Sequence, residues 1–315
     1  MRFRRAHGAC ARAAPAPSTW VMDAIPHPAP VAGSDRPDAL HEFLARHRRL
    51  FVLTGAGCST ASGIPDYRDA EGGWKRVQPV TFQAFTGDVA IRRRYWARSL
   101  AGWPRFAAAR ANAAHQSLAA IEGDGRIEAL VTQNVDGLHQ QAGSRTVIDL
   151  HGRLDRIVCL GCGALSPRAD FQHELVHRNP GWDRYAAGTA PDGDADLDGV
   201  DFAGFAVPAC PRCGGMLKPD VVFYGESVPR ARVEAAMAHL HGSDGMLVAG
   251  SSLMVYSGFR FARMAAEAGM PLAVLNLGRT RADGLATLKV HADCALALAR
   301  PGPSSRAGRP GSIDR

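Results

Sequence analysis

Two C-x-x-C pairs give this 315-residue sequence its clearest chemical pattern. Each pair is followed by glycine, at Gly163 and at Gly214, which suits a tight turn that directs two thiolates at one ion. Four thiolates fit tetrahedral Zn²⁺, and a closed set of four cysteines is typical of a structural zinc site. A redox-active pair or coincidence would not explain two pairs with matching glycines. The sequence therefore predicts one structural zinc ion, held by Cys159, Cys162, Cys210 and Cys213.

The segment between the two pairs contains an acidic run that superficially resembles a calcium-binding loop. Positions 1, 3, 5 and 6 of such a loop would be filled, in order, by Asp194, Asp196, Asp198 and Gly199. Position 12, where a bidentate glutamate is needed, falls on Phe205. We therefore expect a solvated loop rather than a calcium site.

A glycine-rich turn follows the apolar run Leu50–Thr54. Gly55 and Gly57 would let the backbone approach a pyrophosphate, and a helix starting there would offer free N–H groups. The third glycine of the dinucleotide fingerprint is missing, because Thr60 stands in its place. No acidic residue ends a strand at the distance that nicotinamide dehydrogenases use, so ordinary hydride transfer is disfavoured.

Two further polar clusters follow apolar runs. Gln133, Asn134 and Asp136 come after the second run, and side chains of these types can bind a ribose and an amide. His151 follows the next run and is placed where a histidine could act as a general base. For a lone histidine at a strand end, a structural hydrogen bond is the alternative, and taken by itself His151 favours that alternative.

The elements that would position these residues alternate between strands and helices. Strands are predicted at 50–54, 127–132, 147–150, 246–249 and 272–276, with extended chain at 221–224. Helices are predicted at 40–47, at 88–121 with a break at Gly102–Pro104, at 230–241 and at 258–268. This order predicts an α/β fold, with a doubly wound, Rossmann-like parallel sheet into which a smaller zinc-binding module is inserted.

Composition and charge exclude several classes of protein. Hydrophobic residues make up 46% and charged residues 21%, which permits a sizeable core and excludes global disorder. No apolar run reaches 18 residues, so no membrane-spanning helix is expected. The net charge is +7, of which residues 1–36 carry +3 and residues 301–315 carry +2, leaving +2 for 37–300. This near-neutral centre disfavours direct nucleic-acid binding.

Both ends of the chain have the composition of disordered segments. Residues 1–36 are rich in Ala, Pro and Arg, and residues 301–315 in Gly, Pro and Ser. An Arg-rich start can be an organelle transit peptide, which would place the protein in the mitochondrial matrix. A disordered bacterial tail, or a true start at Met22, is favoured instead, and with it a cytoplasmic location.

The polar clusters and the cysteine pairs together resemble the sirtuin family, the NAD-dependent protein deacylases. The matching pieces, in the family's order, are GAGCSTASGIPDYR (55–68), TQNVDGLH (132–139), HG (151–152), the two C-x-x-C pairs, KPDVVFYGE (218–226), GSSL (250–253) and NLG (276–278). The combination is far more specific than any one piece, and it covers about residues 38–300. The pieces IPDYRD, VVFYGE and SSLMVYSG are most similar to the class II branch, which includes the human mitochondrial sirtuin with weak deacetylase activity.

The resemblance implies a domain organisation and a set of catalytic residues. A catalytic domain would span 37–300, with its zinc module at about 153–217, between disordered ends. His151 would be the general base that takes a proton from the ribose hydroxyls of NAD. Asn134 and Asp136 would line the nicotinamide and ribose pocket.

The resemblance also implies the residues that bind NAD and the substrate. Asp66 would contact the nicotinamide amide, and Ser59 and Thr60 would help to hold the phosphates. The full set of implied cofactor-binding residues is Gly55, Ala56, Gly57, Ser59, Thr60, Pro65, Asp66, Tyr67, Arg68, Gln133, Asn134, Val135, Asp136, Gly250, Ser251, Ser252, Asn276, Leu277, Gly278 and Cys294. An acyl-lysine tunnel would be lined by Val222, Phe223 and Val255, with the substrate peptide lying between 222–226 and 252–256. Cys58 and Cys294 are interpreted as packing residues.

The implied function is NAD-dependent protein-lysine deacylation, of the deacetylase type, which releases nicotinamide and O-acyl-ADP-ribose. Transfer of ADP-ribose to a protein uses the same cleavage and remains an alternative. Intact His151, Asn134 and Asp136 argue against an idle NAD-binding module, and the near-neutral centre argues against a zinc-ribbon nucleic-acid binder. The expected partner is an acyl-lysine protein, with no nucleic acid or membrane partner, and a monomer is favoured.

Overall fold

The structure is a computed structural model that describes residues 37–75, 79–182, 197 and 199–299. The predicted disordered ends lie outside the described residues. So does most of the acidic run that includes Asp194, Asp196 and Asp198.

The chain alternates strands with helices, as predicted. In chain order the strands are β1 Leu50–Thr54, β2 Ile127–Thr132, β3 Val147–Asp149, β4 Gly152–Cys159, β5 Leu165–Pro167, β6 Leu217–Val221, β7 Gly245–Ala249, β8 Leu272–Leu275 and β9 Leu288–Val290. The α-helices are α1 Pro37–Arg46, α2 Phe82–Gly87, α3 Val89–Ala107, α4 Ala113–Gly123, α5 Leu138–Gln141, α6 Arg168–Arg178, α7 Arg230–His241, α8 Tyr256–Glu267 and α9 Cys294–Leu298. None of the helices in the described part is long and apolar enough to cross a bilayer.

A six-stranded parallel sheet forms the centre of the molecule, in the order β3-β2-β1-β7-β8-β9. Every residue of β1 is buried, because helices cover both faces of the sheet. Leu50 and Val52 pack with α1, α4 and α9 on one face. Phe51 and Leu53 pack with α7 and α8 on the other. Alternate side chains of β1 thus contribute to the hydrophobic core on each face of the sheet. The predicted doubly wound α/β fold is confirmed.

A smaller antiparallel sheet, in the order β5-β4-β6, forms a second unit beside the parallel sheet. Its core is largely aromatic and joins α2, α3 and α6, with Trp96 packed against Phe171 at a ring-centroid distance of 4.6 Å. The four cysteines lie in this unit. The extended chain predicted at 221–224 is only partly correct, because β6 ends at Val221 and Tyr224 forms an isolated bridge with Thr81.

The predicted helix break at Gly102–Pro104 is wrong, since α3 runs through Pro104 to Ala107. Proline has no N–H to donate to the carbonyl four residues earlier, which here belongs to Leu100. The Nε2 of Gln172, on α6, donates to that carbonyl instead, at 2.9 Å. The actual break follows at 108–112, where the Asn112 side chain caps α4. A side chain from another element therefore removes part of the penalty that made a break at Pro104 the natural prediction.

Candidate active site and metal centre

The polar motifs converge because they all follow strands of the parallel sheet. β1 is the strand at which the direction of winding reverses, with β2 on one side and β7 on the other. A crevice opens at the carboxyl ends of the strands at such a point. The segments that begin at Gly55, Gln133 and Gly250 leave β1, β2 and β7 at this edge. Asn276 leaves β8 at the same edge.

Two cavities occupy the crevice, one of about 770 Å³ and one of about 370 Å³. His151 lines both, together with Gln133 and Asn134. The smaller cavity is otherwise bordered by the glycine-rich turns and by Asn276–Gly278. The larger one extends past Val222 and Phe223 to α7 and α8. His151 therefore stands where two binding spaces of different character meet.

Each catalytic, cofactor-binding and substrate residue implied by the resemblance lines at least one of these cavities. Those at the larger cavity are Ala56, Ser59, Pro65, Tyr67, Gln133, Asn134, Val135, Asp136, His151, Val222, Phe223 and Val255. Those at the smaller cavity include Gly55, Gly57, Thr60, Asp66, Arg68, Gly250, Ser251, Ser252, Asn276, Leu277, Gly278 and Cys294. The four zinc-type cysteines line neither cavity.

The hydrogen bonds of His151 fix which ring nitrogen carries the proton. Nδ1 lies 3.0 Å from the carbonyl oxygen of Gln133, which can only accept, so Nδ1 holds the proton. Nε2 therefore has the lone pair, which accepts a hydrogen bond from the Ser257 hydroxyl at 2.8 Å. Burial lowers the pKa of His151 to about 4, against the opposing hydrogen bond to Gln133 and with help from the charge of Arg232. The ring is thus neutral near pH 7, and its basic nitrogen is bonded to Ser257, which lines the larger cavity.

The backbone around His151 is held by close contacts that require glycine. Gly152 has φ of +84°, and a Cβ there would lie 2.0 Å from the carbonyl oxygen of Asp220. The amide of Val222 donates to the carbonyl of His151 at 2.8 Å. These contacts explain why glycine follows His151, and they tie His151 directly to the segment that lines the larger cavity.

A buried network joins the turn after β1 to the turn after β2. The Ser59 hydroxyl donates to Asp136 Oδ2 at 2.7 Å and accepts from Asn134 Nδ2 at 3.0 Å. Burial raises the pKa of Asp136, although hydrogen bonds from Leu138 N and Ser59 oppose the shift. The structure thus places Ser59 with Asn134 and Asp136 in the larger cavity, whereas Thr60 lines the smaller one.

The glycines of the nucleotide-type turn act mainly on the protein's own backbone. A Cβ on Gly55 would meet Ser251 Cβ at 2.7 Å, and one on Gly57 would meet Gly250 Cα at 3.0 Å. The amide of Gly57 donates to the carbonyl of Gly250 at 2.8 Å. The expected helix start is replaced by two short 3-10 turns, Ala56–Cys58 and Thr60–Ser62. These glycines let two turns interlock, and the interlocked pair forms the wall of the smaller cavity.

The segment after this turn is organised by its own side chains. Asp66 pairs with Lys75, with Nζ and Oδ1 2.6 Å apart. Arg68 donates to the carbonyl of Gly72 at 2.7 Å and lies over the ring of Trp74 at 4.1 Å. Asp66 and Arg68 therefore line the smaller cavity from a loop that their contacts fold back on itself.

Two side chains with direct contacts in the site were not predicted. Ser257 binds the basic nitrogen of His151, and Arg260, one turn further along α8, lines the larger cavity. Ser257 lies within the segment SSLMVYSG, so that piece of the sequence contained a signal for it. Arg260 lies two residues beyond the segment. Nothing in the sequence marked Arg260.

The four predicted zinc ligands lie together. Cys159 and Cys213 Sγ are 3.5 Å apart, Cys162 and Cys210 Sγ are 3.9 Å apart, and all four lie within 4.8 Å of one another. Tetrahedral zinc with Zn–S bonds of about 2.3 Å needs sulfur atoms about 3.8 Å apart. Gly163 and Gly214 both have φ of +70°, as expected of the tight turns after each pair. The chemistry and spacing of the donors fit one structural Zn²⁺.

A second group of possible ligands, Cys58, His115 and His139, lies buried under the turn after β1. Nδ1 of His115 accepts a hydrogen bond from the Asn112 amide at 3.2 Å, so its proton is on Nε2, the nitrogen that lies 3.5 Å from Ser59 Oγ. A protonated nitrogen cannot bind a metal. Burial raises the pKa of the Cys58 thiol well above its usual value. Cys58 and His115 are therefore disfavoured as metal ligands, and Cys58 packs in the hydrophobic core.

Comparison with known proteins agrees with the fold. The sequence model of the Sir2 family matches residues 55–257. An NAD-dependent protein deacetylase of Xanthomonas campestris pv. campestris is 67% identical over 261 residues, which make up 83% of this chain and 89% of that protein. Two solved structures, "Sir2-p53 peptide-NAD+" and "Sir2 bound to acetylated peptide", are each 30% identical with TM-scores of 0.68, over 84% of this chain and 96% of theirs. The chain belongs to the Sir2 family, the sirtuins.

Proposed function

We propose that this protein is an NAD-dependent protein-lysine deacetylase with His151 as its general base. The observation that carries the proposal is that His151 lines both cavities, with its basic nitrogen unprotonated. The named activity of the Xanthomonas relative and the NAD and acetylated peptide of the two Sir2 structures support it. The alternative, transfer of ADP-ribose to a protein, has no observation that favours it over deacetylation.

The residues around the smaller cavity fit the NAD dinucleotide. The interlocked turns at Gly55–Gly57 and Gly250–Ser252 offer backbone groups that can bind the phosphates. The segment Asn276–Gly278 offers polar groups that can bind the adenosine ribose. Gln133 Nε2, which donates to Ser251 Oγ at 2.8 Å, is in position to hold a ribose hydroxyl. Asn134 and Asp136 complete the nicotinamide end. NAD supplies the ribose carbon from which nicotinamide leaves and the ADP-ribose that accepts the acyl group.

His151 moves the proton that acyl transfer requires. Nε2 takes a proton from a ribose hydroxyl, in place of the hydrogen bond that Ser257 donates in this structure. Nδ1 keeps its hydrogen bond to Gln133, which holds the ring in the basic tautomer throughout. The buried carboxylate of Asp136 and the amide of Asn134 tolerate the positive charge that develops on the ribose as the C–N bond breaks.

The acyl-lysine approaches His151 through the larger cavity. Val222, Phe223 and Val255 give its wall an apolar surface that excludes water from the reacting groups. The substrate peptide lies as an added strand between 222–226 and 252–256. The catalytic domain spans 37–300, and the zinc holds together the module at about 153–217. The bacterial relatives support a cytoplasmic location.

Product analysis by mass spectrometry tests the proposal. The purified protein is incubated with NAD and a panel of acyl-lysine peptides. Deacetylation gives a peptide with the mass of the unmodified lysine, with nicotinamide and O-acetyl-ADP-ribose in equal amounts. Nicotinamide release with mass added to a protein, and no deacylated peptide, would replace deacetylation by ADP-ribosyl transfer.

A further inference from the structure

The larger cavity continues beyond the acyl-lysine wall to an opening between α7 and α8. Val228 and Val233 line it there, together with Tyr256, which is 46% exposed. Arg230, whose side chain is 90% exposed, marks the rim. Because this end is open to solvent, it is the end at which a protein substrate would be met.

Most charges around this opening are already neutralised within the protein. Arg230 Nε lies 2.6 Å from Glu234, and Arg263 Nε lies 3.4 Å from Glu267. Arg232 pairs with Asp220 at 3.6 Å. Arg230 and Arg263 each pair with a glutamate on their own helix, and Arg232 shares Asp220 with Arg156.

Arg260 differs from these neighbours. Within the part of the chain that the structure describes, no carboxylate lies within ion-pair distance of it, and its buried Nε has no hydrogen-bond partner. Its recorded contact is with the ring of Tyr256, 5.2 Å from the guanidinium carbon. The buried Nε loses hydration without regaining a hydrogen bond, and the guanidinium has no counter-charge within ion-pair distance, so an incoming anion is favoured there.

The position of Arg260 along α8 decides which part of a substrate it meets. Ser257 contacts His151, and Arg260 follows three residues later, about 4.5 Å further along the helix. The reacting acyl group belongs beside His151, whereas the Arg260 guanidinium lies against the ring of Tyr256, which is exposed. An anion at Arg260 therefore belongs to the peptide that carries the lysine and not to the acyl group.

We propose that Arg260 is a specificity-determining residue that selects acyl-lysine peptides carrying an aspartate or glutamate close to the modified lysine. The inference rests on the proposed deacetylase function and adds the class of sequence that the site prefers. A carboxylate paired with this guanidinium forms a charge-assisted hydrogen bond that the corresponding amide cannot match. We expect a preference of about tenfold in kcat/KM for glutamate over glutamine.

The test compares acetyl-lysine peptides that differ at one position near the lysine. Glutamate, glutamine and lysine are placed in turn at each of the two positions before and after the acetyl-lysine, and kcat/KM is measured with the full chain at saturating NAD. At one position the order is glutamate, glutamine, lysine, and the preference for glutamate shrinks as salt is added. Equal rates for the three residues at every position would overturn the inference.

Three variants separate Arg260 from general charge effects. In Arg260→Gln the ratio of glutamate to glutamine peptide falls to about one, and in Arg260→Glu the preference reverses toward lysine. Arg263→Gln is the matched control on the same helix, and it keeps the wild-type ratio because Arg263 is paired with Glu267. Loss of the preference in Arg263→Gln, or its persistence in both Arg260 variants, would contradict the assignment.

The neutral glutamine peptide distinguishes the two proposals. If wild-type protein deacetylates that peptide and shows no preference for glutamate, the deacetylase function stands and the role of Arg260 fails. If no acyl peptide yields nicotinamide with NAD, the proposed function itself fails and the role of Arg260 in it fails too.

Discussion

A single hydroxyl, that of Ser59, connects two side chains of the larger cavity, Asn134 and Asp136, with the buried His115. It donates to Asp136 and accepts from Asn134, and its oxygen lies 3.5 Å from Nε2 of His115. Ser59 is 1% exposed, so water cannot readily replace these bonds. The orientation of Asn134 and Asp136 in the larger cavity, which the proposed function assigns to the nicotinamide end, therefore depends on a residue that has no part in the proposed proton transfer.

Ser59→Ala removes one hydrogen bond from each of two partly buried side chains, Asn134 and Asp136, and leaves each with a single bond about which it can turn. We expect kcat/KM for NAD to fall about 10- to 100-fold, the range that follows from the cost of one buried unsatisfied group. Ser62→Ala is the control, since Ser62 lies in the same turn and lines neither cavity. Steady-state rates of nicotinamide release measure both, and equal effects of the two substitutions would rule out this role for Ser59.

At the residue scale, the motifs indicated the members of the site but not their mutual contacts. Every implied NAD and substrate residue lines a cavity, because strand ends gather at one edge of a parallel sheet. The bond between His151 and Ser257 spans 106 positions of sequence. No spacing rule reaches that far, and the same holds for the position of Arg260.

At the scale of elements, the segment Val221–Glu226 depends on an ion pair between the buried Lys218 and the partly exposed Glu226. Lys218, on β6, donates to Glu226 Oε2 at 3.1 Å and to the carbonyl of Val221. Glu226 also accepts from the amide of Phe223 at 2.9 Å. Burial lowers the pKa of Lys218, and the charge of Glu226 opposes that shift. This pair gives the wall of the larger cavity its shape.

Lys218→Met removes one partner and leaves the Glu226 carboxylate without its counter-charge. Since breaking such a pair is costly, the segment rearranges, and we expect kcat/KM for the acetyl peptide to drop about tenfold or more. NAD binding, measured by calorimetry, stays within about twofold because neither residue lines the smaller cavity. The double substitution Lys218→Met with Glu226→Gln should recover part of the loss. A double variant no better than Lys218→Met, with the fold intact, would argue against the ion pair as the cause.

Local sequence predicted five of the six strands of the large sheet to within one residue at each end, but it missed β9 and was wrong at Pro104. Proline is expected to end a helix partly because the carbonyl four residues earlier loses its hydrogen-bond donor. That expectation assumes that no other donor lies near the carbonyl. Here α6 supplies Gln172. Because α6 lies in the segment between the cysteine pairs, only the folded arrangement reveals the compensation.

At the scale of the whole molecule, we expect the zinc site to stabilise the small unit and to take no direct part in catalysis, because its four cysteines line neither cavity. Cys210→Ser removes one of four thiolates, and we expect loss of bound zinc and a lower melting temperature. Arg212→Ser, at the exposed residue between the two cysteines of that pair, keeps its zinc and its melting temperature. Metal analysis and thermal melts read out both variants. An unchanged zinc content in Cys210→Ser would refute the four-cysteine site.

Buried neutral histidines should make the fold sensitive to acid. Burial lowers the pKa of His115 to about 4, and burial with the nearby His115 lowers that of His139 to about 3. The folded state then excludes protons that the unfolded chain takes up, so stability is full above pH 6.5 and falls as the pH decreases toward 4. Urea midpoints between pH 7 and 4.5 measure this fall, which His139→Gln should reduce and which His173→Gln, at an exposed position, should not. A midpoint independent of pH would contradict the account.

The central claim is that His151 acts as a base on a bound NAD, and one paired measurement on His151→Ala addresses it. Deacetylation is followed by mass spectrometry, and NAD binding is measured on the same protein by calorimetry. The account predicts that deacetylation falls by at least about 100-fold, the lower end of the usual range for a general base, while NAD affinity stays within a few-fold. Near-normal turnover with lost NAD affinity would contradict it, because His151 would then bind the cofactor without taking part in proton transfer.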